Sequence, residues 1–418
     1  MTDRLRDDCF ALPPGVDWTP VDVAQSALRS QLHVVTGSEE VSLDAAFGRV
    51  LAAPVVARRT NPPAANAAVD GYALAWASLG EGDDAELTLA EGRSAAGHPW
   101  PGTLKSGQAL RILTGAEIPA GADTVVMQED VTEAAGHIRF PVPRKPGANC
   151  RAVGEDAMAG AEVLASGHVV TARDLARMAA VGVDRVRVHH RLRVAVLSTG
   201  DELVQPGAEP GKSGIFDANR PMLRALGAAQ GFEVADLGAV ADTAGAVGAA
   251  LDRGAAEADA IVTTGGASAG DEDHVSRILR ERGHITTWRI AMKPGRPLAL
   301  GLWRGTPVFG LPGNPVAAMV CWLIFARPAL WLMAGAGWRE PQGFTLPAAF
   351  TKDKKPGRRE YLRARVSADG HAEVFHSEGS GLVGGLTWSD GLVELPDAAM
   401  KIEPGTPVRY LPYASFGA

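Results

Sequence analysis

Five acidic residues follow segments of the sequence that are predicted to be strands, at Asp201, Glu202, Asp242, Asp271 and Asp273. For any one of them, a solvated surface position is the ordinary explanation. Several carboxylates beside a bound phosphate would repel it. A divalent ion removes that repulsion, because carboxylate and phosphate oxygens are the hard ligands that magnesium prefers. The pattern therefore predicts a magnesium site that stabilises charge on a departing phosphate.

A glycine-rich loop lies among these acids, at residues 265–270 (GGASAG). Glycine lets the backbone approach a ligand closely, and N–H groups at the start of a helix can cradle a phosphate. Two threonines come directly before Gly265, and a serine, Ser268, lies within the loop. These hydroxyl groups favour ligand binding over a plain strand-to-helix turn. The loop matches neither GxGxxG nor GxxxxGK[ST], so a nicotinamide site or a simple NTPase is poorly supported.

The glycines and most of the acids follow three predicted strands, at residues 192–198, 260–264 and 306–311, and Asp242 is predicted near the same edge. The third strand leads into Pro312-Gly313-Asn314. In an open α/β sheet, ligands bind outside the carboxyl ends of the strands. We therefore expect the three strand ends to form one binding edge.

A basic run follows in the segment WRIAMKPGRPL, at Arg289, Lys293 and Arg296. Alone, it reads as a solvated hairpin. The last part of the chain adds three more arginines, at Arg358, Arg359 and Arg363. Guanidinium groups match the geometry of oxyanions, so the combined set predicts an anion pocket between domains.

The pattern of apolar residues divides the chain into four predicted domains. Alternating strand and helix segments over residues 190–337 predict a doubly wound, mostly parallel α/β domain. Residues 59–150, with many turn residues and short apolar runs, predict an inserted β-rich domain. The flanking segments 18–58 and 151–189 predict one discontinuous helical or mixed domain, with helices starting at Thr19-Pro20 and Thr171. Residues 338–418 predict a small β-barrel-like domain.

Composition excludes several classes of function. The chain has 418 residues, a formal net charge of -7 and three widely separated cysteines. An acidic surface does not attract nucleic acid, and isolated cysteines predict neither disulfides nor structural zinc. The N-terminus lacks the apolar core of a secretory signal. The longest apolar stretch, residues 315–326, is shorter than the roughly 20 residues that span a bilayer. We expect a soluble cytoplasmic protein with no membrane or nucleic-acid partner.

A set of sequence motifs occurs in order from about residue 60 to the C-terminus. They are NPPAANAAVDGYAL, RILTGAEIPAGADTVVMQED, VGEDAMAGAEVL, VLSTGDEL, GIFDANRPMLRAL, VTTGGASAGDEDH, MKPGRPLALG, GLPGNPVAAM, KKPGRREYLR and EGSGL. Each motif is modest, but the ordered set is specific. It resembles the molybdopterin molybdotransferase family, called MoeA in bacteria and related to the E domain of gephyrin.

The resemblance implies an activity and an assembly. The substrates would be molybdate and adenylylated molybdopterin, and Mg²⁺-dependent cleavage of the adenylate would release AMP as molybdenum is inserted. The protein would be an elongated homodimer whose active site is shared between subunits, with Asp70 and Thr114 acting across the dimer. Molybdopterin adenylyltransferase and molybdoenzyme maturation proteins would be further partners.

The resemblance also assigns site residues. From the residues alone, Asp70 before Gly71 reads as a turn aspartate. By resemblance, the catalytic positions are Asp70, Thr114, Asp156, Glu202, Asp242, Asp273 and Lys293. Glu202, Asp242 and Asp273 would hold magnesium. The substrate-binding positions are Thr199, Gly265, Gly266, Ser268, Gly270, Pro294, Arg296, Pro312, Gly313, Asn314, Arg358 and Ser380. Ala67 and Ala317 stand where the family usually has serine, and the change at Ala317 removes a hydroxyl from the molybdate contacts.

Two other functions fit parts of the pattern. A molybdopterin adenylyltransferase resembles residues 190–337 and has a similar glycine loop, but the additional domains argue against it. A non-catalytic scaffold or binding protein on the same fold is the second alternative, since fold alone does not decide function.

Overall fold

The computed structural model describes residues 19–265, 274–295 and 297–418, without the side chains of 284–289 and 297. The first segment contains α1 Val21–Gln31, β1 Ser38–Ser42, α2 Leu43–Ala46 and β2 Val55–Val56. The expectation that Thr19 caps α1 is wrong. The N-cap is Pro20, with no side-chain cap, and the buried Thr19 instead pairs with Ile290 in a β-bridge. Helix α1 buries Val21 and Leu28 in the core of the α/β region.

The middle of the chain folds as a β-rich unit. Its strands are β3 Asn66–Ala67, β4 Gly71–Leu74, β5 Asp84–Ser94, β6 Gln108–Ile112, β7 Thr124–Met127, β8 Thr132–Ala134, β9 His137–Pro141 and β10 Cys150–Arg151. Six of these form one sheet in the order β7-β4-β6-β5-β9-β8, and β3 pairs with β10. The short apolar runs seen in the sequence are β6 and β7, which bury alternate or successive residues against the sheet core.

The chain then returns through β11 Glu162–Leu164, α3 Ala172–Ala180 and β12 Arg185–His189. β12 pairs with β1 and β11 pairs with β2, so two distant segments of sequence share small sheets. The predicted cap of α3 is present, because the side chains of Thr171 and Asp174 form a reciprocal capping box. Gly182 follows α3 with a φ of 77°, as expected for a glycine that ends a helix.

The α/β region carries the central sheet. Its elements are β13 Arg193–Thr199, β14 Leu203–Val204, β15 Ile215–Phe216, α4 Asn219–Ala229, β16 Glu233–Val240, α5 Ala244–Glu257, β17 Ala260–Thr264, α6 His274–Arg282, β18 His284–Arg289, β19 Met292–Lys293, β20 Pro297–Trp303, β21 Thr306–Leu311, α7 Pro315–Cys321 and α8 Arg327–Met333. The sheet order is β16-β13-β17-β21-β20-β18, and the first four strands are parallel.

This arrangement confirms the predicted mostly parallel α/β fold. The sequence analysis missed β18, which adds an antiparallel strand at the sheet edge beside β20. The segment HITTWR has no continuous apolar run, and a continuous run is the signal by which buried parallel strands are recognised.

The apolar stretch after β21 is longer than expected. One helical run extends over Pro315–Met333, with a π-helical turn at Trp322–Ala326 between α7 and α8. By length and composition it could cross a membrane, but 94% of its most apolar window is buried. Arg327, where we expected the stretch to end, is also buried and donates a 2.7 Å hydrogen bond to the carbonyl of Phe416. The run is therefore a core helix.

The last part of the chain is a β-rich unit. Its elements are β22 Phe344–Pro347, β23 Lys352–Lys354, β24 Arg359–Val366, β25 Ala372–Val374, α9 Gly384–Trp388, β26 Gly391–Leu395, β27 Met400–Ile402, β28 Pro407–Pro412 and α10 Tyr413–Phe416. Its main sheet has the order β19-β24-β26-β28-β22. The first strand, β19, comes from the α/β region and places Lys293 opposite Glu360.

Candidate functional site

The carboxyl ends of the parallel strands form one edge. Ser198 of β13 lies opposite Thr264 of β17, which lies opposite Leu311 of β21. Gly265 then turns the chain with a φ of 83°, and a Cβ there would lie 2.3 Å from the carbonyl oxygen of Thr199. Only glycine fits this close approach. The edge predicted from three separate motifs is therefore a continuous feature of the sheet.

Asn219 forms hydrogen bonds with two of the strand ends at this edge. The sequence analysis did not predict it as a site residue. Its side-chain amide donates to Thr264 Oγ1 at 2.7 Å and to the carbonyl of Gly313 at 2.6 Å. It thereby links the ends of β17 and β21 across the first turn of α4. The buried Asn219 Oδ1 and Thr199 Oγ1 have no hydrogen-bond partner among the described residues. The motif GIFDANRPMLRAL contains Asn219, but the sequence analysis assigned this residue no role.

A second cluster of hydrogen bonds, centred on the buried Arg220 of α4, contacts β13 and β16 next to this edge. Arg220 donates to Asp217 Oδ2 at 3.0 Å and to Asp236 Oδ2 at 2.7 Å. Asp217 also accepts a short hydrogen bond from the hydroxyl of Ser198 on β13. Burial lowers the pKa of Arg220, but the hydrogen bonds that Arg220 donates to Asp236 and Asp217 outweigh it and hold that pKa above its ordinary value. This ion network fixes α4 against the sheet.

Two predicted metal ligands lie at the other end of the edge, after β13 and β16. The backbone N–H of Asp242 donates to Asp201 Oδ1 at 3.0 Å, so the loops that follow the two strands are in contact. The exposed Glu202 side chain folds back over Gly200, where a Cβ would lie 2.7 Å from Glu202 Oε2. No group of three potential ligands converges within the described part of the chain. The carboxylates have the chemistry that magnesium requires, and phosphate oxygens would complete the coordination.

Predicted substrate-binding residues line a cavity of about 540 Å³ between the α/β region and the last β unit. It is lined on one side by the turn after β21 and on the other by the loop after β25. Its lining includes Lys293, Pro294, Pro312, Gly313, Asn314, Ala317, Arg358, Glu378 and Ser380. The peptide bond between Lys293 and Pro294 is cis. Seven residues predicted from four separate motifs therefore surround one space.

The arginines predicted to form the anion pocket divide into different roles. Arg358 lines the cavity beside Lys293. The expectation for Arg359 is wrong, because its side chain is paired elsewhere, whereas Arg363 lines a neighbouring cavity that Lys293 also lines. Arg359 pairs with Asp22 and Asp397, and Arg363 donates to the carbonyls of residues Ser377, Gly379 and Leu382.

Glu378 is a cavity residue that the sequence analysis overlooked. One carboxylate oxygen accepts a short hydrogen bond from Lys293 and the other accepts one from Lys352. Lys352 also pairs with Glu360 at 3.0 Å. Burial raises the pKa of Glu378, but the hydrogen bonds from the two lysines outweigh it and keep that pKa below its ordinary value. The motif EGSGL contains both Glu378 and Ser380, and a role was predicted for Ser380 alone.

Two of the remaining predicted residues, Asp70 and Thr114, lie in the β-rich unit in the middle of the chain. The backbone N–H and the hydroxyl of Thr114 both donate to Asp70 Oδ1 at 2.6 Å. These bonds hold the pKa of Asp70 below its ordinary value. Asp156 Oδ2 accepts from the amide of Asn61 at 3.0 Å. Asp70 and Thr114 thus form a pair, while Asp156 belongs to a separate loop. The predictions at Gly266, Ser268, Gly270, Asp273 and Arg296 lie outside the described residues.

The site is elongated, because acids and cations occupy opposite ends of the edge. Asp242 follows β16 and the cation-lined cavity adjoins the turn after β21, three strand positions away. At about 4.8 Å per strand, that separation is roughly 14 Å. The fold thus defines a multidomain α/β protein with an extended ligand edge.

Sequence profiles of known families match most of the chain. The MoeA N-terminal region (domain I and II) matches residues 19–182. A probable molybdopterin binding domain matches residues 195–331, and the MoeA C-terminal region (domain IV) matches residues 345–413. The three matches follow one another in the order of the motifs described above.

Individual relatives match this chain over most of its length. The molybdopterin molybdenumtransferase of Haemophilus influenzae is 35% identical over 401 residues, covering 94% of this chain and 98% of that protein. The enzyme of the same name from Nostoc is 35% identical, covering 90% and 88%. The crystal structure of the molybdopterin biosynthesis moeA protein from Pyrococcus horikoshii OT3 superposes with a TM-score of 0.83 at 29% identity, covering 95% and 100%. The chain belongs to the molybdopterin molybdenumtransferase family.

Proposed function

We propose that the protein is a transferase that inserts molybdenum from molybdate into adenylylated molybdopterin, with magnesium-dependent release of AMP. The observation that carries this proposal is the single cavity formed by Lys293, Arg358 and Ser380 together with the turn 312–314. Cations and backbone N–H groups around one space suit an oxyanion beside a phosphorylated ligand. The family relationship supports the same activity.

The residues of the cavity have distinct parts in the proposed reaction. Lys293 and Arg358 would hold the molybdate oxygens by charge-assisted hydrogen bonds, and Ser380 would donate a further one. Gly265 and Gly313 would let the backbone approach the pterin phosphate end. This placement brings molybdate to the dithiolene sulfurs, and proximity alone accounts for a large part of the rate of such a transfer.

The acids at the far end of the edge would hold magnesium at the phosphoanhydride. Glu202 and Asp242 are the described candidates, and Asp273 is the third by resemblance. Magnesium would neutralise the charge that develops on the departing AMP phosphate. Asp201 would contribute by orienting the loop of Asp242, because its carboxylate accepts a hydrogen bond from the backbone N–H of Asp242. No covalent intermediate on the protein is required.

We further propose a homodimer in which Asp70 and Thr114 of one subunit complete the site of the other. The two hydrogen bonds that Thr114 donates to Asp70 Oδ1 orient this carboxylate, and its other oxygen would contact the ligand. The soluble cytoplasmic setting, and contacts with the adenylyltransferase and with molybdoenzyme maturation proteins, belong to the same proposal.

The test is a reaction of the purified protein with adenylylated molybdopterin, molybdate and Mg²⁺. We expect AMP release together with activation of an apo-molybdoenzyme that is added afterwards. Accumulation of the adenylate from ATP and molybdopterin would instead identify an adenylyltransferase. A protein that does neither would be a scaffold or binding protein.

A further inference from the structure

Glu378 forms ion pairs with Lys293, the residue that the proposed oxyanion would bind, and with Lys352. Its carboxylate lies between the ammonium groups of Lys293 and Lys352, with one oxygen on each. Lys293 and Glu378 line the proposed molybdate cavity, and both also line a neighbouring cavity of about 210 Å³ that contains Lys352. The carboxylate therefore stands at the boundary between two spaces.

We propose that Glu378 is an internal counter-anion that the incoming oxyanion must displace from Lys293, and that it thereby sets the affinity of the site for oxyanions. The inference rests on the proposed function, because it takes the cavity of Lys293 and Arg358 as the oxyanion site. It goes further by assigning a role to Glu378, which the proposed reaction does not use.

Charge is the first argument for displacement. The cluster contains the cations Lys293, Lys352 and Arg358 and the carboxylates Glu378 and Glu360. Its formal charge is therefore +1, and it would be +2 if Glu378 were neutral. A dianion entering beside an unmoved carboxylate would be repelled, because like charges a few ångströms apart interact strongly in a partly buried site.

Mobility is the second argument. Glu378 lies in the loop between β25 and α9, and its side chain is 41% exposed, so it can turn toward solvent. Lys352 has a side-chain exposure of only 15% and keeps Glu360 as a partner when Glu378 leaves. Lys293 has no other ion-pair partner among the described residues. Departure of Glu378 thus frees Lys293 for the oxyanion without leaving Lys352 unpaired.

Equilibrium binding of molybdate to the full-length protein tests the inference, with Glu378→Gln as the variant. The amide keeps the shape and removes the charge, and we expect about tenfold tighter binding, on the scale of one charge interaction at a partly exposed site. Glu373→Gln is the matched control. It removes the same charge from a similarly exposed side chain in the same β unit, where it pairs with Arg365 at 2.9 Å. Its affinity for molybdate should equal that of the wild-type protein.

A second variant protects the test against misfolding. Glu378→Asp keeps the charge but is one methylene shorter, so it cannot contact both lysines, and it should also bind molybdate more tightly than wild type. Circular dichroism and binding of adenylylated molybdopterin should be unchanged in all variants. Equal or weaker molybdate binding by Glu378→Gln would overturn the inference alone. Failure of the wild-type protein to bind molybdate would overturn the proposed site and the inference with it.

Discussion

Arg359 donates a hydrogen bond to each carboxylate oxygen of Asp22, at 2.7 and 2.9 Å. Asp22 lies in the first turn of α1 and Arg359 begins β24, so the pair joins the first helix to the last β unit. Arg359 is also opposite Met292, which precedes Lys293 in β19. The Asp22–Arg359 pair therefore holds the start of β24 beside β19, the strand that carries Lys293.

Replacing Asp22 by asparagine should destabilise the fold by about 1 kcal/mol at neutral pH, since Asp22 is 69% exposed and solvent screens the pair. Hydrogen bonds from Arg359 hold the pKa of Asp22 below its ordinary value. A lowered folded-state pKa contributes stability above the unfolded pKa, and the contribution is lost as pH falls through the folded one. The difference between wild type and Asp22→Asn should therefore shrink below about pH 4. Urea denaturation at pH 7 and pH 3 measures this.

The control is Asp44→Asn, which changes an exposed first-turn acid of α2. An equal loss of stability in Asp22→Asn and Asp44→Asn at pH 7 would show that the contact with Arg359 contributes nothing beyond a first-turn charge.

The capping box of α3 gives a second pH-dependent prediction. Burial raises the pKa of Asp174, but hydrogen bonds from Thr171 and His168 outweigh it and lower that pKa to about 2. Asp174→Asn should cost about 2 kcal/mol of unfolding free energy at pH 7. By the same sign argument, the cost should persist above pH 4 and decline between pH 4 and pH 2. Denaturation curves across that range provide the measurement. A pH-independent difference would exclude the ionised carboxylate as its source.

Asp242→Asn should separate binding from catalysis. The substitution keeps the backbone N–H that contacts Asp201 but removes a charge that the proposed magnesium requires. We expect normal binding of adenylylated molybdopterin and about 100-fold slower AMP release, on the scale of losing one charge-stabilising group. Asp83→Asn, at an exposed position of the inserted unit, is the control. Unchanged turnover in Asp242→Asn would remove Asp242 from the mechanism.

The shared site predicts complementation between inactive chains. Asp70→Ala and Glu202→Ala would each abolish turnover alone, and a mixture should recover activity because one heterodimer site retains both residues. The measurement is AMP release after the differently tagged chains have exchanged subunits. Recovery should approach one quarter of wild type when the chains mix randomly, since half of the dimers then carry one intact site. Confirmed exchange without any recovery would place Asp70 and Glu202 in the same subunit's site or in separate functions.

Local sequence determined the central parallel strands of the α/β region, because burial on both faces of the sheet imposes continuous apolar runs such as the one within residues 192–198. It also determined the cap at Thr171 and Asp174, where the two side chains and the backbone they satisfy lie within four residues. The ordered motifs identified the family, which the comparisons confirm. Strand β18 and the length of the core helix escaped prediction, since polar edges and a buried Arg327 depend on neighbours that the local pattern does not contain.

Only the tertiary structure decided how the charged residues pair. In the sequence, Arg358 and Arg359 look equivalent, yet Arg358 lines the cavity while Arg359 binds Asp22, 337 positions away. Likewise, Lys293 and Glu378 are 85 positions apart, and nothing in either motif indicates their contact. Strand pairing between β19 and β24 brings these groups together, and the choice of partner for each charge follows from that packing. Residue type thus determined which chemistry is available, while the fold determined which groups remain free to perform it.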